Sequence, residues 1–372
     1  MATFYLSAPQ QPPQNLFASR DFAESHAFFA ARPALAPTPL HRLDGLARRL
    51  GLAAVLAKDE TRRFGLNAFK AVGTQFAVNT LIARGIIEAG DTLACASEGN
   101  HGRAVARAAR EAGCRAVVYL SDTVVPARVA AIESEGATVV RIRGTYDEAV
   151  REMAAAAKSQ GWTVVSDTSW PGYSEIPRLI MLGYTRLLEE DWGGPETSSH
   201  GARPDVIFAP AGVGGLLGAV ASWVAWKYGG DRPRIVSVEP RSAACVQAAV
   251  QAGAPIRVDG PFDTVMGGLR CGEMSPDTFP VISTVVDALI GIEDERAFEA
   301  MRLLARPEGN DPVILAGASG AAALGGLLAV LKDPDLGAVR ARLELGGGSR
   351  VEVLVSEGAT DPEHLDRVLA RP

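Results

Sequence analysis

This chain has no surplus of basic charge, little cysteine, and no apolar run long enough to cross a membrane. Its 37 Lys and Arg fall short of its 43 Asp and Glu, giving a formal net charge of -6. That balance lacks the electrostatic footprint of a nucleic-acid binder, and no basic tract points to a membrane surface. The four cysteines, Cys95, Cys114, Cys245 and Cys271, contain no C-x-x-C pair and no Cys/His spacing that would ligate a metal. They read as buried thiols; a Cys245 to Cys271 bridge is the alternative, which a reducing compartment disfavours. Met1-Ala2-Thr3-Phe4-Tyr5 lacks the charged start and apolar core of a signal peptide, so a cytoplasmic location is expected. Solenoid-length repeats and low-complexity tracts are missing as well.

What is present is the composition of an ordinary globular protein, 47% apolar and 22% charged over 372 residues, a length that predicts two lobes. Thirty-nine glycines suit close helix-to-sheet packing. Residues 1–79 read as an N-terminal arm followed by the first part of a large domain. Pro9, Pro12, Pro13, Pro33, Pro37 and Pro39 make the first forty or so residues an arm over the surface rather than a core element. A helix over 44–50 and a strand over 54–60 follow. From about residue 80 strands alternate with helices: strands at 92–96, 116–120, 137–142 and 163–166, helices at 101–112, 126–135 and 146–160. That rhythm predicts a parallel sheet with helices on both faces, a small α/β domain over 80–190. Residues 191–204 read as a loop, and residues 191–372 complete the large domain. Its pattern has strands at 205–209, 235–239 and 351–355, and helices at 216–228, 294–304 and 318–331.

The chain is organised around Arg62-Arg63-Phe64-Gly65-Leu66-Asn67-Ala68-Phe69-Lys70, where a polar run gives way to a helix. Lys70 falls at that helix start beside Phe69. Desolvation and the positive helix end both disfavour an ammonium there, the condition for a nucleophilic, imine-forming lysine. After the strand ending at Ala96 comes Ser97-Glu98-Gly99-Asn100-His101-Gly102. Such a loop at a strand's carboxyl end suits a carboxylate ligand, in which Glu98 fits only as a proton or amine handler. After Ala209 comes Pro210-Ala211-Gly212-Val213-Gly214-Gly215-Leu216, whose amides converge without side chains in the way. It has neither a Walker lysine nor a full dinucleotide fingerprint, so one phosphate monoester is the expected ligand. Ser356, after the last strand, sits where a hydroxyl would face a ring nitrogen.

In this order the four features resemble the tryptophan-synthase-β-like (fold type II) family of pyridoxal phosphate enzymes. The likeness covers nearly the whole chain. It is sharpest at Arg63 to Lys70, Glu98 to Gly102, Ser166-Asp167-Thr168-Ser169-Trp170-Pro171-Gly172-Tyr173, Met266 to Glu273 and Ser356 to Asp361. Within that family the Asp-Thr-x-Trp-x-Gly-Tyr segment is most similar to the diaminopropionate ammonia-lyases. The resemblance implies a two-lobed α/β fold with parallel-rich twisted sheets and pyridoxal 5'-phosphate in the cleft between lobes. It implies a Schiff base at Lys70, with Phe69 beside it, Asn100 at the ring hydroxyl, and Gly212, Val213, Gly214, Gly215 and Leu216 at the phosphate. Ser356 would face the pyridine nitrogen. Asp167 would take the α-proton of L-2,3-diaminopropionate and Glu98 that of the D-isomer. Ser97, Gly99, His101, Thr168 and Tyr173 would line the substrate.

The expected reaction is α,β-elimination of ammonia, giving pyruvate and two ammonia. A dehydratase or β-replacement enzyme acting on serine, threonine or another 3-substituted amino acid is the alternative. The expected partners are a small amino-acid substrate and a second copy of the chain, with no nucleic acid, membrane or metal. Two positions depart from the family pattern: Glu98 stands for an aspartate, and Ala318 for a glutamate.

Overall fold

A computed structural model describes residues 2–8, 14–97, 99–144, 146–194 and 201–371, and its chain contacts separate two compact units. One comprises Met1–Arg62 with Thr185–Pro372, the other Arg63–Tyr184. Eleven strands occur among the described residues. In chain order they are β1 (Thr3–Leu6), β2 (Leu40–Arg42), β3 (Ala54–Asp59), β4 (Thr92–Ala96), β5 (Arg115–Ser121), β6 (Thr138–Ile142), β7 (Thr163–Val164), β8 (Val206–Pro210), β9 (Arg234–Pro240), β10 (Ala288–Ile292) and β11 (Arg350–Val355).

The discontinuous unit holds a seven-stranded sheet ordered β1-β10-β9-β8-β11-β3-β2. Its inner strands are parallel, while β1 against β10 and β2 against β3 are antiparallel, so the sheet is mixed. β8, β10 and nearly all of β11 are buried throughout, as parallel strands covered on both faces must be. The helix Ala318–Lys332 is apolar around nearly its whole circumference and is buried with them. Gly326 makes this approach possible, since a Cβ there would meet Val238 Cγ2 at 2.5 Å. Leu324, Leu327, Phe208, Val238 and Val353 join one core, each such side chain contributing about 2 kcal/mol by leaving water.

The Arg63–Tyr184 unit holds a four-stranded, all-parallel sheet ordered β6-β5-β4-β7. The alternation read from residue 80 onward produces it, but the unit begins at Arg63. The helix Lys70–Ala83 packs against the helix Glu175–Tyr184 in the same unit, and the crossing is built on glycine. A Cβ on Gly183 would lie 2.7 Å from Gly73 Cα, and one on Gly73 would lie 2.4 Å from the Ile180 carbonyl.

The first forty residues do more than wrap the surface. They supply an edge strand, β1, and the twelve-residue helix Ser19–Ala30, neither foreseen from their prolines. The loop read over 191–204 begins on a helix, Arg186–Trp192, whose Asp191 and Trp192 are buried; residues 195–200 lie outside the described residues. All four cysteines are free thiols, so no Cys245 to Cys271 bridge is formed. No helix among the described residues is long and apolar enough to cross a membrane.

Candidate active site

In the Arg63–Tyr184 unit the site starts with a turn. Phe64, Gly65 and Asn67 have φ of 49°, 73° and 60°, so the backbone passes through the left-handed region three times before the helix begins. Lys70 is the first residue of that helix. Its Nζ lies 4.9 Å from the Phe69 ring centroid and 5.8 Å from that of Tyr184. It donates to Asp167 Oδ2 at 2.5 Å, a partner that reasoning from the helix dipole alone did not supply.

Asp167 lies just beyond β7. Burial acts against its charge, but the neighbouring His101 and Lys70 and the Lys70 hydrogen bond outweigh it and hold the carboxyl well below the usual range. His101 is the second residue of the helix Asn100–Glu111 and is also buried. Its Nε2 sits 2.8 Å from the Val165 carbonyl, which can only accept, so Nε2 carries the hydrogen. Nδ1 is 3.8 Å from Asp167 Oδ2 and makes no hydrogen bond among the described residues. Burial lowers the His101 pKa, and Lys70 lowers it further against the pull of Asp167. His101 Nδ1 thus stands beside the Lys70 amine and the Asp167 carboxylate, a set able to hold and pass a proton.

The other residues read from sequence in this unit fall on either side of that group. Asn100 opens the same helix as His101, and Ser97 follows β4 directly, its hydroxyl accepting from the Gly99 amide at 3.3 Å. Thr168 donates its amide to Ser166 Oγ at 3.3 Å. Tyr173 is differently used: its hydroxyl accepts from the Ser166 amide and donates to the Val164 carbonyl, both at 2.9 Å. It therefore braces the end of β7, with its ring stacked on Trp170. Glu98 lies outside the described residues.

Tyr184 is the residue that sequence reasoning passed over. Its ring packs on Phe69 at 4.7 Å and faces Lys70, and its buried hydroxyl has no hydrogen-bond partner among the described residues. Gly73 is the one signal that could have found it. A Cβ at Gly73 would lie 2.5 Å from Tyr184 Cε1, so that glycine reserves room for a large side chain one turn beyond Lys70.

In the other unit, β8 delivers the chain into the glycine turn and the fourteen-residue helix Gly215–Tyr228. The first amides of a helix have no partner within it, and here they follow a segment without obstructing side chains. Gly214 has φ of 93°, and a Cβ there would meet Thr278 Oγ1 at 3.0 Å. One on Gly212 would meet the Gly268 carbonyl at 3.1 Å and Cys271 Sγ at 3.2 Å. Val213 accepts from the Ser275 amide at 2.7 Å, pinning the turn between them. Ser356, buried, follows β11 directly in this same unit. Ala318 opens the long apolar helix, with no acidic side chain at that position. Glycines whose added Cβ would crowd their neighbours, together with a lysine, an asparagine and a serine, are residue types whose chemistry suits pyridoxal phosphate. Among the described residues no group of His, Cys, Asp and Glu is arranged to hold a metal.

These features define a pyridoxal-phosphate enzyme, and the chain belongs to that family: the family described as "Pyridoxal-phosphate dependent enzyme" matches residues 31–356. Its relatives narrow the class. It is 36% identical to the diaminopropionate ammonia-lyase of Escherichia coli K12 over 90% of this chain and 87% of that one, and so belongs with the diaminopropionate ammonia-lyases. The enzyme of that name from Salmonella typhimurium LT2 is 35% identical, over 91% of this chain and 89% of its own length. The structure is similar, with a TM-score of 0.91 and 33% identity, to the Escherichia coli enzyme in complex with an aminoacrylate-PLP azomethine reaction intermediate. That match covers 99% of this chain and 97% of the other.

Proposed function

We propose that this chain converts 2,3-diaminopropionate and one water into pyruvate and two ammonia. Pyridoxal phosphate, when bound, supplies an aldehyde that captures amines and a ring that takes up the electron pair of the broken Cα–H bond. Lys70 provides the amine that tethers the group between turnovers. Gly212, Val213, Gly214, Gly215 and Leu216 hold its phosphate through backbone amides, Asn100 contacts its ring hydroxyl, and Ser356 meets its ring nitrogen. A serine there leaves the ring less electron-demanding than an aspartate would, which suits elimination. Asp167 removes the α-proton of the L-isomer and Glu98 that of the D-isomer. Two carboxylates also suit a substrate whose second ammonium must be buried. Ser97, Gly99, His101 and Thr168 face the substrate, and Tyr173 supports the Asp167 segment. The partner is a second copy of the chain, and the place of action the cytoplasm.

One observation carries this reading. The base and the lysine lie 2.5 Å apart in a chain with the diaminopropionate ammonia-lyase motifs. The decisive test is the ammonia released per pyruvate from L- and D-2,3-diaminopropionate, with L-serine and L-threonine alongside. Two per pyruvate from the diamine supports the reading. Turnover of hydroxy amino acids alone, with one ammonia per 2-oxo acid, replaces it with a dehydratase.

A further inference from the structure

Away from the reacting groups, the Arg63–Tyr184 unit contains a buried carboxylate with a concentration of partners. Glu135 follows the helix Pro126–Glu133 and is 3% exposed. Its Oε1 accepts from Arg103 Nε and Nη2, both at 3.2 Å, and its Oε2 from Arg107 Nε at 2.7 Å. Arg110 Nη2 completes the set at 3.1 Å from Oε2. All three arginines project from the helix that begins with Asn100 and His101.

Two of the three guanidinium groups reach past Glu135 to the turn before Lys70. Arg107 Nη1 donates to the Phe64 carbonyl at 3.4 Å, Arg103 Nη2 to Gly65 at 3.4 Å, and Arg103 Nη1 to Leu66 at 3.3 Å. These successive carbonyls belong to the segment that carries positive φ at Phe64, Gly65 and Asn67. A backbone held in sparsely populated conformations persists only where its surroundings over-determine it. The planar fork of arginine suits this task, since one edge can bind a carboxylate while the other meets carbonyls. Glu111, on the same helix, accepts from Gln75 Nε2 at 2.6 Å, tying that helix to the Lys70 helix one turn further on.

We propose that Glu135 is a positioning residue: by aligning Arg103 and Arg107 it locks the Phe64–Gly65–Leu66 turn and so fixes where Lys70 presents its amine. The inference rests on the reading of Lys70 as the cofactor-bearing lysine. It also makes one helix responsible for two distant parts of the site, the Asn100–His101 pair at its start and the lysine turn through its arginines. Arg110 shares Glu135 but touches none of the three carbonyls, binding Ser134 instead, and provides an internal control.

The test uses full-length apo protein mixed with pyridoxal phosphate. Attachment to Lys70 is trapped with borohydride and timed by mass spectrometry, and hydrogen exchange of the Leu66 to Lys70 amides is measured without cofactor. Misplacement of a reacting group by an ångström is enough to slow a step substantially, so Glu135→Gln and Arg103→Gln are expected to slow attachment about tenfold or more. Both speed exchange in the turn, whereas Arg110→Gln leaves both readouts within about twofold of wild type. Arg103→Lys keeps the positive charge beside Glu135 but cannot span both carbonyls, and behaves like Arg103→Gln. Attachment and exchange unchanged in Arg103→Gln, or perturbed equally in Arg110→Gln, overturn the proposal. A wild-type chain that does not attach the cofactor at Lys70 overturns the functional reading and this inference together.

Discussion

Lys70 Nζ and Asp167 Oδ2 lie 2.5 Å apart, so in the cofactor-free chain the proposed nucleophile and the proposed base share one hydrogen bond. Altering Lys70 removes a charge and a hydrogen bond that favour the Asp167 carboxylate. Asp167→Asn is expected to lower turnover of L-2,3-diaminopropionate by about a hundredfold or more, the usual weight of a general base. Turnover of the D-isomer falls far less, because Glu98 serves it in the proposed scheme. Separate kcat/KM values for the two enantiomers check this, and equal losses on both count against assigning a face to each carboxylate.

The glycine turn permits a sharper test of cofactor hold. Gly212→Ala places a methyl group against the Gly268 carbonyl and Cys271 Sγ, at 3.1 and 3.2 Å before any shift. The turn must open slightly, and the phosphate loses amide contacts. Pyridoxal phosphate affinity is expected to fall about tenfold, corresponding to roughly 1.4 kcal/mol. Titration of apo protein gives the value directly. An unchanged affinity would mean that the phosphate binds elsewhere.

A pH effect follows from the buried charges around Lys58. Its Nζ lies 2.8 Å from Glu190 and 3.0 Å from Asp191, and Glu352, on β11, accepts from Trp192 Nε1 at 2.8 Å. Burial, and then the charge of Asp191, raise the Glu352 pKa above its ordinary value, against the pull of Trp192 and Lys58. The folded chain thus keeps a proton that the unfolded chain has released, and stability falls as pH rises from the ordinary glutamate range towards the raised value. Glu352→Gln cannot ionise and keeps an oxygen for Trp192. Its melting temperature is expected to exceed the parent's at about pH 8 and to approach it at about pH 5. Thermal scans at both conditions decide; a difference independent of pH would show that Glu352 stays ionised throughout.

Much of this was readable from sequence where the signal is local. Lys70 at a helix start, the alternation from Thr92 to Val164, and the glycine turn after β8 depend on residues near one another in the chain. What escaped depends on contacts between distant residues. β1 pairs Thr3 with Gly291, and nothing in a proline-rich opening announces that strand's partner. Tyr184 comes to Lys70 only because Gly73 and Gly183 let two helices cross closely, and Glu135 gathers arginines 25 to 32 positions earlier in the chain. Charge pairs of that separation leave no periodic trace in the sequence.

The antiparallel margin formed by β1 has one more consequence. β10, which it covers, is a wholly buried Ala-Leu-Ile-Gly-Ile strand with no charged residue of its own. Left as an edge, such a strand would offer an open row of amides and carbonyls to any other extended chain. The four residues of β1 thereby close that margin against unplanned strand pairing, and a chain clipped ahead of Ser7 would gain a sticky flank.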